Sequence, residues 1–152
     1  MTYLAAAAFL LTAVLTAVGV RLVRQRFHMI VVRGSSMNPT LQDQDIVLVR
    51  VRRQPRLGDV IVFRMPDEHV DDDLSWMIKR VNAGPGDRIP AEERRILAGS
   101  TVASGCLLVR GDNAESRDSR HFGYVPIDSV LGVVVRRMSF RERSATPLRS
   151  RW

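Results

Sequence analysis

Six short runs of β-branched and aliphatic residues set what this chain can fold into. They are MIVVR (29–33), DIVLVRV (45–51), DVIVFRM (59–65), SWMIKRV (75–81), CLLVRGD (106–112) and VLGVVVRR (130–137). Gly, Pro, Asp and Asn clusters bound them, the residues that turn a chain between strands. β-branched side chains fit a pleated, half-buried surface and lose rotamer freedom in a helix. Beyond residue 27 nothing sustains a 3.6-residue apolar period except one turn around Ala91–Arg95. Residues 27–140 are therefore expected to form a mainly β domain.

A second constraint lies upstream. Residues 4–20 (LAAAAFLLTAVLTAVGV) carry no charge and nothing more polar than two threonines. With Leu22 and Val23 the run approaches the roughly 20 residues that a helix needs to cross a bilayer. Ala17-Val18-Gly19 could pass as a signal-peptide cleavage site, but no basic region precedes the apolar run. Residues 1–26 are accordingly read as a retained single-pass membrane anchor with a basic flank. That flank is Arg21, Arg24 and Arg26, which by the positive-inside rule would hold the downstream domain in the cytoplasm. Residues 141–152 lose the apolar pattern and read as a basic, mobile tail able to lie on anionic lipid.

The formal charge of +7 admits nucleic acid or an anionic membrane as partner and does not choose between them. One cysteine, Cys106, excludes an internal disulfide and any multi-thiolate metal site, and it reads as a small core residue. His28, His69 and His121 share no metal-ligand spacing, and the acidic run Asp67–Asp73 reads as a solvated loop. No cofactor or metal is expected. Of the 23 basic residues, 22 are arginine and one, Lys79, is lysine. Arginine stays protonated in a protein, whereas a buried lysine can become a neutral amine and act as a base.

Three segments carry local chemistry. Gly34-Ser35-Ser36-Met37-Asn38-Pro39 follows a strand and bends sharply, exposing a hydroxyl and backbone N–H groups suited to an oxyanion. On composition alone it is equally a serine-rich turn. Lys79 lies in an apolar strand and shares a face with Met77 and Val81. Burial there would lower its pKa, whereas on an edge its amine would reach water. His121, in a Ser-Arg-His-Phe-Gly turn, is the other partner to consider for a serine, so a Ser-Lys pair is the better nucleophilic arrangement. The third segment, Gly111–Arg120, is dense in side chains that hydrogen-bond locally.

Together these segments resemble the type I signal peptidases, membrane-anchored Ser-Lys proteases that cut signal peptides from exported proteins. The matching boxes are Ser36-Met37-Asn38-Pro39-Thr40-Leu41, Gly58-Asp59-Val60-Ile61-Val62-Phe63, Lys79-Arg80-Val81-Asn82-Ala83-Gly84-Pro85-Gly86-Asp87, and Gly111-Asp112-Asn113 with Ser116-Arg117-Asp118-Ser119-Arg120. They stand in family order over residues 36–120, and the family lysine falls on the only lysine of the chain. The resemblance implies an antiparallel β-sheet catalytic domain. It makes Ser36 the nucleophile and Lys79 the general base. It gives Ser116 the task of orienting the lysine, and Asp118 and Arg120 that of supporting the loop. The Ser36 N–H would donate to the oxyanion, with Gly34 and Ser35 beside it. Some relatives carry a serine hydroxyl where Gly34 stands. The partners implied are a preprotein signal peptide or precursor N-terminal segment and membrane lipid, without nucleic acid. The family favours an active site outside the cytoplasm, and the flanking arginines favour one inside.

The interval from Lys79 to Gly111 leaves no room for the inserted subdomain of larger members, and the last box is one residue short between Asn113 and Ser116. Small relatives include dedicated maturation proteases, such as those trimming the nickel superoxide dismutase precursor, and that is one alternative. A self-cleaving regulator would need a DNA-binding domain, for which residues 1–28 are too apolar. Another alternative is a non-catalytic, membrane-anchored basic binding domain.

Overall fold

A computed structural model of the chain describes residues 2–52, 54–65 and 76–138, without the side chains of residues 2–8 and 22. The acidic run at 67–73 and the basic tail at 141–152 lie outside the described residues.

Helix α1 (Thr2–Arg26) runs directly into strand β1 (Phe27–Val31). Apolar side chains along α1 are exposed, among them Phe9, Leu15 and Val23. Among the described residues no helix is long and apolar enough to cross a membrane. The apolar run in the sequence begins at Leu4, ahead of the first described side chain.

The other strands are β2 (Ile46–Val51), β3 (Val60–Arg64), β4 (Trp76–Ala83), β5 (Cys106–Arg110), β6 (Val125–Pro126) and β7 (Val130–Met138). They form one sheet in the order β1-β2-β7-β3-β4-β5-β6, every pairing antiparallel. Each of the six runs read from the sequence becomes a strand; the two-residue β6 carries no such signal. The single turn expected at 91–95 is a 3-10 turn at Glu93–Arg95. One further helical turn, α2 (Ser119–Phe122), arises where the sequence suggested only a polar loop. Its origin is the Asp118 carboxylate, which accepts the Arg120 N–H and caps the turn.

The last described strand lies inside the sheet. β7 pairs with β2 on one side and β3 on the other. At Gly132 it passes so close to β2 that a Cβ would fall on the Arg50 carbonyl, so only glycine fits.

Alternation along β3 places Ile61 and Phe63 in one apolar cluster and Val62 in another, so both faces of the sheet are covered. The first cluster joins Val81, Leu107, Val109, Val125, Val130 and Val133. In the second, Met37 and Leu41 fold back from the β1–β2 connection onto Val47, Val49 and Val62. Burying each such side chain contributes about 1.5–3 kcal/mol. Burial of Met37 therefore fixes where its neighbour Ser36 must sit. A third, smaller cluster of Ala83, Ile89, Val102 and Leu108 lies under the β4–β5 connection, and half-buried Cys106 packs against it.

Candidate active site

Ser36 lies in the turn between β1 and β2, half-buried beside the fully buried Met37. Several contacts hold this turn. The Asn113 N–H donates to the Ser36 carbonyl at 3.1 Å, and the Asn113 side-chain amide donates to the Ser35 carbonyl at 3.2 Å. On the far side, Arg137 donates to the Thr40 carbonyl at 3.1 Å and pairs with the buried Asp45 at 2.8 Å. The Asn38–Pro39 peptide bond is cis. Among the described residues the Ser36 N–H has no acceptor.

Gly34, with φ +86°, gives its N–H to Asp43 Oδ1 at 2.7 Å. That contact comes first among the causes holding the Asp43 carboxyl below the usual carboxylate range. The Gly34 N–H is thus already used, and Ser35 is exposed.

Lys79 sits on β4 opposite Ile61 of β3. Its strand neighbours on the same face, Met77 and Val81, pack in the first cluster, and only 3% of Lys79 is exposed. Burial pushes its amine below the ordinary lysine range, opposed by the negative charge of Asp118. Lys79 and Ser36 line one groove of about 600 Å³. β1, Trp76 and Leu131 complete its walls.

Asp118 is fully buried, which disfavours its charge. Arg120, paired with it at 2.8 Å, and the N–H groups of Gly111 and Arg120 outweigh that burial and hold its carboxyl below the usual range. His121, which is exposed, accepts the Asp118 N–H and completes the cap. Ser116 is buried, and its hydroxyl donates to the Arg117 carbonyl at 3.5 Å. Among the described residues it makes no hydrogen bond to Lys79.

Arg80, Asp112, Asp43, Asp45 and Arg137 carry no site role on sequence grounds, yet they build the frame of this site. Arg80 grips Asp112 through Nε at 2.8 Å and a terminal nitrogen at 2.6 Å, and donates to the Gly58 carbonyl at 2.9 Å. It thereby ties the strand of Lys79 to the loop that supports Ser36. Two of these residues stood inside quoted boxes, as Lys79-Arg80 and Gly111-Asp112-Asn113, so the signal was present without its geometry.

The description "Signal peptidase, peptidase S26" matches this chain over residues 3–99 and 93–139. The chain belongs to the signal peptidase family. It is similar to signal peptidase I of Bacillus caldolyticus, at 30% identity over 71% of this chain and 77% of that protein. Mitochondrial inner membrane protease subunit 1 of Schizosaccharomyces pombe is 32% identical over 74% of this chain and 73% of its own. Probable signal peptidase I-2 of Synechocystis is 27% identical over 86% and 71%. A signal peptidase family chain is a hydrolase and a serine endopeptidase, which sets aside the non-catalytic binding domain.

Gly111 is the tightest point of this signal peptidase site. A Cβ there would fall on the Ser116 side chain and on the Ser36 carbonyl. Gly111→Ala is expected to cost about 1–3 kcal/mol by overpacking and to displace the Ser36 turn. The check is a thermal melt beside a cleavage assay. An unchanged melting point with full activity would contradict the packing described.

Proposed function

We propose that this chain is a single-pass membrane endopeptidase that removes signal peptides from preproteins, with Ser36 as nucleophile and Lys79 as general base. One observation carries the reading: a buried lysine with a depressed pKa lines the same groove as a serine held in a rigid turn.

The neutral Lys79 amine takes the proton of the Ser36 hydroxyl as Oγ attacks the scissile carbonyl. As the Oγ–C bond forms, the π pair of the carbonyl moves onto its oxygen, and the free Ser36 N–H donates to the oxyanion so produced. Lys79 then gives its proton to the leaving amine, breaking the peptide bond and leaving an ester on Ser36. Water, deprotonated by Lys79, attacks that ester and releases the new carboxyl end. Ser116, after rotating its hydroxyl, orients the amine. Asp118 and Arg120 hold the loop, while Ser35 and Gly34 shape the turn behind the oxyanion. The chemistry uses no metal, so EDTA should leave activity unchanged. The apolar run at 4–20 and its flanking arginines support a membrane anchor with lipid as its partner.

The deciding experiment incubates the full chain in detergent or lipid with a preprotein bearing an Ala-x-Ala site, with Ser36→Ala as control. Cleavage at the site, absent from the control, is the expected result and favours an active site outside the cytoplasm. A folded enzyme that spares the preprotein would overturn general signal-peptide removal in favour of one dedicated precursor.

A further inference from the structure

The substrate groove is electrostatically one-sided. Among its lining residues are the basic side chains His28, Arg33 and Lys79 and no carboxylate. Two of these differ sharply from the third. Lys79 is buried, whereas His28 on β1 and Arg33 just beyond that strand are exposed. Arg33 is the one permanent cation of the described lining, three positions ahead of Ser36.

Arg33 has no structural task that would account for its charge. Among the described residues it forms no ion pair or hydrogen bond, unlike Arg80, Arg110, Arg120 and Arg137, which are all paired. Asp43 feels its charge at a distance, but the Asp43 carboxylate is occupied by the Gly34 N–H. Apart from Ser36, the remaining lining side chains, including Met29, Val31 and Trp76, are apolar. A substrate laid in this groove therefore meets largely apolar side chains and one unpaired guanidinium that lines the same groove as Ser36.

We propose that Arg33 forms an acidic subsite of the groove, selecting polypeptide substrates that carry an aspartate or glutamate in the stretch bound beside the scissile bond. The inference deepens the peptidase reading and rests on it for the identity of the groove. A guanidinium presents a planar fork that matches a carboxylate bidentately, which lysine cannot reproduce. Because Arg33 is exposed, the preference is modest and salt-dependent, about three- to tenfold at low ionic strength.

The test scans aspartate against asparagine through each position from five before to three after the cut of one cleavable peptide, reading kcat/KM. One position should favour aspartate by that factor, and the advantage should shrink in 0.5 M salt. Arg33→Gln should bring that ratio close to one, and Arg33→Glu should invert it in favour of asparagine. A ratio near one at every position, or a preference untouched by Arg33→Glu, overturns the proposal. Binding of the same labelled peptides to Ser36→Ala, followed by fluorescence anisotropy, repeats the comparison without turnover. The two readings fail separately: Ser36→Ala that still cleaves refutes the nucleophile, whereas an inert Ser36→Ala without charge preference refutes the subsite.

Discussion

Replacing Lys79 with methionine is expected to stabilise the protein and abolish its activity in one step. Lys79 is only 3% exposed, and burial holds its pKa down. Methionine has nearly the same shape and no charge to desolvate, so the fold should gain about 1–3 kcal/mol. Hydrolysis should fall by about 10⁴-fold or more, the scale of removing a general base from a catalytic unit. Lys79→Arg should be as inactive and less stable, because its charge cannot be relinquished.

The pH behaviour follows from the same residue. The folded-state pKa lies below the unfolded one, so between the two values the unfolded chain binds more protons. Stability from this group therefore rises with pH across that window, and the rise should vanish in Lys79→Met. Activity should likewise climb as pH passes through the depressed value. Denaturant titrations at several pH values, beside a pH–rate profile, measure both. A wild-type activity that falls over that rise in pH would rule out Lys79 as the base.

The largest loss of stability should come from Glu93, which lies away from the proposed dyad. Its side chain is fully buried, takes two hydrogen bonds from Arg110 at 2.8 and 3.1 Å, and accepts from Asn82 at 3.3 Å. These contacts fasten the β4–β5 connection to both strands it joins. Glu93→Ala removes the buried partner of Arg110, which keeps only the exposed Glu92 at 2.8 Å, and should cost about 3 kcal/mol. That is a large part of the total stability of a small domain. Glu93→Gln keeps the shape and some hydrogen bonds and should cost less. Urea denaturation of both variants measures the difference, and equal stability of Glu93→Ala and wild type would contradict the burial described.

Glu93 also illustrates what the sequence hides. Glu92-Glu93-Arg94-Arg95 looks like a charged surface turn, and the turn is indeed there. Which of its four charges points inward depends on Arg110 and Asn82, and no local pattern encodes a partner so far along the chain. The strands were legible because a β-branched run bounded by turn residues is a local signal. Lysine against a background of arginine was legible because it is a chemical exception. The tethers of the Ser36 turn were not, since Asn113 and Arg137 reach it from 78 and 97 positions away. Gly111 was quoted as part of a box, yet the reason for a glycine there is the approach of Ser36, visible only in three dimensions.

The place of β7 has a consequence for when this enzyme becomes active. Ser36 belongs to the β1–β2 hairpin and Lys79 to the β3–β4 hairpin, and β7 lies between the two in the sheet. Among the described residues it is also the last strand in chain order. A nascent polypeptide still lacking residues 130–138 holds the proposed nucleophile and base on two hairpins with no strand to join them. With the proposed dyad, a growing chain that has reached residue 129 already carries both Ser36 and Lys79, and still lacks the strand that sits between their hairpins.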